Sequence, residues 1–157
     1  MNIKLLAIGK TDNKNLQALI DEYTKRLRFY IKFDLEIIPD IKNVKNLSEA
    51  QQKQKEGELI LSKITATDHL ILLDENGKTF SSVGFADELQ KKMNAGIKTL
   101  VFVIGGPYGF SDEVYQKAQG KISLSAMTFS HQMVRLFVIE QIYRGFTILK
   151  NEPYHHQ

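Results

Sequence analysis

Two almost unbroken apolar runs, Leu70-Ile71-Leu72-Leu73 and Leu100-Val101-Phe102-Val103-Ile104, constrain the fold of this chain more than any other feature. A strand with one wet face alternates apolar and polar residues, so a run with no polar position is covered on both faces. That is the pattern of the middle of a parallel sheet. Covering both faces takes helices, and helical patterns lie between the strands.

Strands are expected at 3–9, 33–38, 69–74, 99–105 and 122–127, each rich in leucine or β-branched residues and each ended by turn chemistry. Residues 15–30 place Leu16, Leu19, Ile20, Tyr23 and Leu27 on one side of a helix. Ser48 and Ser82 stand where N-caps of the second and third helices belong, and Asn76-Gly77 reads as a tight turn after the third strand. No linker, repeat or low-complexity stretch interrupts the 157 residues, so one α/β domain over 1–157 is expected.

The absence of cysteine removes disulfides, thiolate metal sites and cysteine nucleophiles together, and suits a cytoplasmic protein. No run approaches the roughly 18 apolar residues of a membrane span. The opening Met-Asn-Ile-Lys-Leu-Leu-Ala-Ile-Gly is too short and too strand-like for a signal peptide. A net charge of +3 is compatible with nucleic acid without requiring it.

The fourth strand runs into Gly105-Gly106-Pro107-Tyr108-Gly109-Phe110, at the carboxyl end of a central parallel strand, where α/β proteins bind ligands. Glycines there let the backbone approach a ligand, although a plain strand-to-helix turn would also use them. Ser111 is placed to cap the next helix, with Asp112 and Glu113 in its first turn. Carboxylates at that position repel a phosphate. Neither a G-x-x-x-x-G-K-[ST] loop nor a G-x-G-x-x-G fingerprint is present, so a phosphate-free nucleoside fits better than ATP or NAD, and a cationic sulfonium would tolerate the carboxylates. A second candidate loop, Leu124-Ser125-Ala126-Met127-Thr128-Phe129, follows the last strand, and His131 opens a very apolar helix over 131–149. His131 and Arg135 share a helical face, whereas Glu140 and Arg144 read as a structural surface pair.

In this order and spacing the segments Ile3–Gly9, 70–77, Phe102-Val103-Ile104-Gly105-Gly106-Pro107, 124–131, Val134-Arg135, 140–144 and Pro153-Tyr154-His155 resemble one family over nearly the whole length. It is the RlmH family of pseudouridine N3-methyltransferases, minimal members of the SPOUT superfamily. The resemblance implies an α/β fold with a parallel sheet and a C-terminal trefoil knot, an exception to the rule against threaded chains. It implies S-adenosylmethionine as cofactor, held mainly by backbone groups of Leu73, Gly105, Leu124, Ser125, Ala126, Met127, Thr128 and Phe129. Methylation would fall on N3 of pseudouridine 1915, in the helix 69 loop of 23S rRNA, within the 70S ribosome. It implies a homodimer with RNA bound across both subunits, and neither metal nor membrane is called for.

An imide N–H is weakly acidic, so a base or cationic stabiliser near the substrate is useful. The candidates are His131, Arg135, Tyr154 and His155, with arginine able only to stabilise charge or hold phosphate. Against this, Tyr154 could simply pack and the histidines be solvated. Lys25, Arg26, Arg28 and Lys32 cluster where the first helix ends, as a dipole complement or as a phosphate-contacting patch. The all-round apolar surface of 131–149 fits knot burial together with a dimer interface. Two other readings stand beside this one: a SPOUT enzyme acting on a ribose 2′-hydroxyl, and a ribosome-binding factor without catalysis.

Overall fold

A computed structural model describes residues 1–156. Its sheet contains β1 (Asn2–Ile8), β2 (Lys32–Ile38), β3 (His69–Thr79), β4 (Thr99–Ile104) and β5 (Gly120–Ser123). All pairings are parallel, in the order β2-β1-β4-β3-β5. Around it lie α1 (Lys14–Arg28), α2 (Glu49–Ser62), α3 (Ser82–Asn94), α4 (Asp112–Lys117) and α5 (His131–Leu149).

The two apolar runs occupy the interior of the sheet, as their composition demands. Alternate residues of a strand face opposite sides. Leu100 and Phe102 of β4 and Ile71 of β3 therefore join Ile20 and Leu27 of α1, Phe85 and Leu89 of α3, and Ile139 and Ile142 of α5. Their neighbours Val101, Val103, Leu70 and Leu72 meet Ile60 of α2 and Val114 of α4 on the other side. The product is three layers, with α1, α3 and α5 on one face and α2 and α4 on the other.

Local chemistry sets the ends. Ser48 caps α2 through a reciprocal pair of bonds with Gln51. The cap of α3 is Ser81 rather than Ser82: the Gly84 N–H donates to Ser81 Oγ at 3.1 Å, while Ser82 Oγ donates to Gln141 of α5 at 3.0 Å. Helix α5 spans the expected residues and is capped by Ser130. Among the described residues no helix is long and apolar enough to cross a membrane.

Two strand boundaries differ from expectation. Strand β3 does not finish at a turn: residues 74–77 leave the ladder, and pairing with β5 resumes at Lys78 and Thr79. Gly77 serves close approach, because a Cβ there would lie 2.5 Å from the carbonyl carbon of Ile122 and 2.6 Å from its nitrogen. Strand β5 begins at Gly120 and ends at Ser123 instead of running over 122–127. Ser123 Oγ donates to the Ser125 carbonyl at 2.9 Å and the Met127 N–H to Ser125 Oγ at 3.0 Å, which turns the chain off the sheet.

Replacing Gly77 by alanine should therefore behave as overpacking against backbone and cost about 1–3 kcal/mol. Urea unfolding measures it, and an unchanged midpoint would mean that β5 is not pressed against this residue.

Candidate active site

Leu73 pairs with Ile104 on one side and Ile122 on the other. The three loops that follow these strands consequently leave the sheet at one level, at its carboxyl edge. They enclose a cavity of 450 Å³ lined by residues 104–110, the 74–76 excursion, and Thr128, Phe129, His131 and Val134. A smaller pocket of 110 Å³ continues it past Leu73, Phe129 and Val134 to Leu124, Ser125 and Met127. Of the eight residues expected to hold a cofactor, all but the exposed Ala126 line one space or the other.

The glycine loop is built differently from the sequence expectation. A Cβ on Gly105 would sit 3.1 Å from the Phe110 ring, and one on Gly106 would sit 2.1 Å from Oε2 of Glu56. These glycines make room for neighbouring side chains as well as exposing backbone. Gly109 adopts φ +80°, a left-handed conformation natural to glycine, and its N–H donates to the Gly106 carbonyl at 3.2 Å. Ser111 stands at the N-cap of α4, but its side chain makes no capping bond. Its hydroxyl is buried without a partner beside Gly57, where a Cβ would come within 2.2 Å.

The rim is acidic. The Tyr115 hydroxyl donates to Asp74 Oδ2 at 2.5 Å, and the Asn76 N–H donates to Oδ1 at 2.8 Å. Burial and that carboxylate push the Tyr115 phenol up to about 12. A hydrogen bond to its own backbone, with another from Gln54, holds Glu113 below the usual carboxylate range. Asp74 and Glu75 face the cavity while Asp112 and Glu113 occupy the first turn of α4. An anionic ligand meets repulsion here, and a cation does not.

The four candidate catalytic residues separate. His131 is exposed at the start of α5 and lines the cavity. Arg135 is only 1% exposed and does not line it. Its guanidinium donates from Nη1 to Thr11 Oγ1 at 3.0 Å and from Nη2 to the Ile8 carbonyl at 2.7 Å, leaving Nε unpartnered. Burial lowers its pKa against the opposing pull of Asp40 and Asp12. The shared face predicted for His131 and Arg135 thus does not bring them to one site: Arg135 ties α5 to the end of β1.

Tyr154 and His155 lie further down the same helix. The Tyr154 hydroxyl donates to Glu140 Oε1 at 2.9 Å and lies 3.3 Å from the Tyr23 hydroxyl. Arg144 holds Glu140 through Nε at 3.1 Å, stacks 4.7 Å from the Tyr154 ring centre, and donates to His155 Nδ1 at 3.3 Å. Burial, with the bonds to Tyr23 and Glu140, raises the Tyr154 pKa. The Glu140–Arg144 pair is therefore the anchor of the tail rather than a surface bridge, and sequence reading missed it because nothing local links residue 140 to residue 154. Tyr108 and Val134 also line the cavity, the first within the glycine loop and the second among the family segments, whereas Tyr115 carried no signal in the sequence beyond its nearness to that loop.

With three loops meeting over the carboxyl edge of a parallel sheet, the sequence over residues 1–155 matches the family described as "Predicted SPOUT methyltransferase", and the chain belongs to that family. More particularly, it is 85% identical to the ribosomal RNA large subunit methyltransferase H of Flavobacterium johnsoniae and 87% identical to that of Flavobacterium psychrophilum. It is 63% identical to the one from Parabacteroides distasonis, and each comparison covers all of both chains.

Arg135→Met should leave the Ile8 carbonyl and Thr11 hydroxyl unpaired and cost about 1–3 kcal/mol in urea unfolding. Methyl transfer by the folded fraction should stay near wild type. A large loss of activity at unchanged stability would instead put the guanidinium on the substrate.

Proposed function

We propose that this protein transfers the methyl group of S-adenosylmethionine to N3 of pseudouridine 1915, in the helix 69 loop of 23S rRNA in the assembled 70S ribosome, in the cytoplasm. The observation that carries the cofactor assignment is the convergence of three loops on one cavity. The RNA class rests on full-length identity to proteins named ribosomal RNA large subunit methyltransferase H.

The residues present fit the cofactor. The 450 Å³ cavity falls within the about 300–1,000 Å³ of small-molecule sites, and glycine backbone and apolar side chains such as Leu73, Phe110 and Phe129 share its walls with a few polar groups. Its rim carboxylates, Asp74 and Glu75, suit a ligand bearing a sulfonium and an amino group. When bound, S-adenosylmethionine supplies an electrophilic methyl to a ring nitrogen in an in-line displacement. The loops fix the direction of approach, and His131, at the cavity wall, is placed to take the imide proton.

Glu140 lies nine residues beyond His131, about 14 Å along a helix rising 1.5 Å per residue. The docked tail is thus remote from the cavity of its own protomer. A homodimer resolves this, the tail of one protomer facing the cavity of its partner. Exposed Met127 and Met133, with Phe129 stacked edge-on to Phe137, offer an apolar face for that contact. Tyr154 and His155 would then grip the RNA base, and Lys25 and Lys32 would contact phosphates. Arg26 and Arg28 are partly occupied by Glu22 and Asp34. The trefoil knot belongs to the same proposal, supported by membership of the SPOUT methyltransferase family.

Mass-spectrometric mapping of 23S rRNA from cells with and without the gene tests the reaction, with methylation of that one nucleotide expected to vanish. In calorimetry, Gly105→Val should lose cofactor binding because its branches displace Phe110 from the wall, and unchanged binding would remove Gly105 from the site. Light scattering should give about twice the 18.0 kDa chain mass. Mixing Gly105→Val chains with chains lacking Tyr154–Gln157, each inactive alone, should restore part of the activity on 70S particles. Gln157 itself lies outside the described residues. Failure to complement, with the two variants dimerising normally, would reject the shared site.

A further inference from the structure

Among the described residues Glu56 is the only fully buried acidic side chain, at 4% exposure. It sits in α2 against Gly106 of the glycine loop, does not line the cavity, and none of the steps above uses it. Gln52 Nε2 donates to its Oε1 at 3.0 Å, and its Oε2 has no partner. Burial pushes its pKa up, with the Gln52 bond and His131 opposing and Asp40 adding to the rise.

The packing around it is reciprocal. The bare side of Gly106 accommodates the Glu56 carboxyl, with an added Cβ 2.1 Å from Oε2 and 2.6 Å from Cδ. The bare side of the next helix residue, Gly57, accommodates Ser111, with an added Cβ 2.2 Å from Oγ. Both ends of the glycine loop are thus indexed against adjacent residues of one helix, itself fixed by the Ser48 cap and by Ile60 in the core. Between those ends, Pro107 and Tyr108 are exposed. The Gly109 to Gly106 bond at 3.2 Å is the one backbone hydrogen bond within the loop among the described residues. At the far end Phe110 is buried beside Val114 and packs edge-on against Tyr115, so the stretch around Gly106 is the part that leans on Glu56.

We propose that Glu56 is a positioning residue for the cofactor: wedged beneath Gly106, its carboxyl holds the glycine loop in the form that makes one wall of the cavity. This rests on the cofactor reading above. The side chain acts through its shape and its bond to Gln52, not through charge, and it touches the bound molecule only by way of the loop.

The test measures S-adenosylmethionine binding by calorimetry, turnover at saturating cofactor, and amide hydrogen exchange of residues 105–110 without cofactor. Glu56→Ala should weaken binding about tenfold, leave saturated turnover within about twofold, and speed exchange in the loop. Glu56→Asp, too short to reach Gly106, should do the same if the alanine variant folds poorly. Glu56→Gln should bind within about twofold of wild type. Gly106→Ala should also weaken binding, but by less in the Glu56→Ala background, where its methyl has room, so the pair should be non-additive. Wild-type binding and exchange in both Glu56→Ala and Glu56→Asp, strict additivity, or a Glu56→Gln loss equal to that of alanine would each overturn the proposal. Failure of the wild-type chain to bind S-adenosylmethionine would overturn the cofactor reading instead, and the exchange measurement judges Glu56 independently of it.

Discussion

A single row of residues in register crosses the sheet, through Ile37, Ala7, Ile104, Leu73 and Ile122, and every functional loop departs from just beyond it. Neighbouring strands lie about 4.8 Å apart, so the loops after β4 and β5 and the excursion within β3 originate within about 10 Å of one another. That proximity makes one cavity out of three segments distant in sequence. It depends on β3 being paired on both sides, which in turn depends on its apolar run having cover above and below. A polar residue at Ile71 or Leu72 would therefore disturb the site through the register of the sheet.

Helix α5 divides the chemistry by distance. Its first residue meets an acidic rim suited to a cation, while its second half, through Glu140 and Arg144, carries the tail. The basic end of α1 precedes Lys32, where β2 begins, and so lies at the amino edge of the sheet, opposite the cavity. An anionic polymer is thus attracted to one end of the protomer and a cationic small molecule to the other. Two ligands of opposite charge need not compete for one field.

The layers were legible in the sequence because the signals for them are local. Leu70–Leu73 and Leu100–Ile104 announce buried strands by composition, and 131–149 reads as one helix because its apolar pattern runs unbroken from the Ser130 cap to Asn151, which takes the left-handed φ of 55°. The candidate site was legible where a loop follows such a strand. What was hidden depends on partners far along the chain. Gly77 looked like turn chemistry until Ile122 lay against it, and Gly106 looked like ligand space until Glu56 filled it. Glu56 itself sits in Lys-Gln-Lys-Glu-Gly-Glu, which composition alone reads as a wet helix surface. Arg135 lies four residues from His131, but a spacing of four leaves the residues about 40° apart around the axis, enough for one to face the rim and the other the interior.

The pairing order of the sheet also bears on how the protein emerges from synthesis. Strands β1 to β4 can pair with one another before anything beyond residue 104 exists, since each has a partner among the first four. A chain released at that stage would hold a paired sheet with β3 as a raw edge, and would lack the closing loop and α5. The apolar faces of α1 and α3 that meet α5 would be open to water as well. Domains form from the amino end as the chain is made, at about 5–20 residues per second. The last fifty or so residues thus cover that edge and complete the cavity within the same few seconds. The nascent chain is vulnerable to aggregation until the moment it becomes competent to bind.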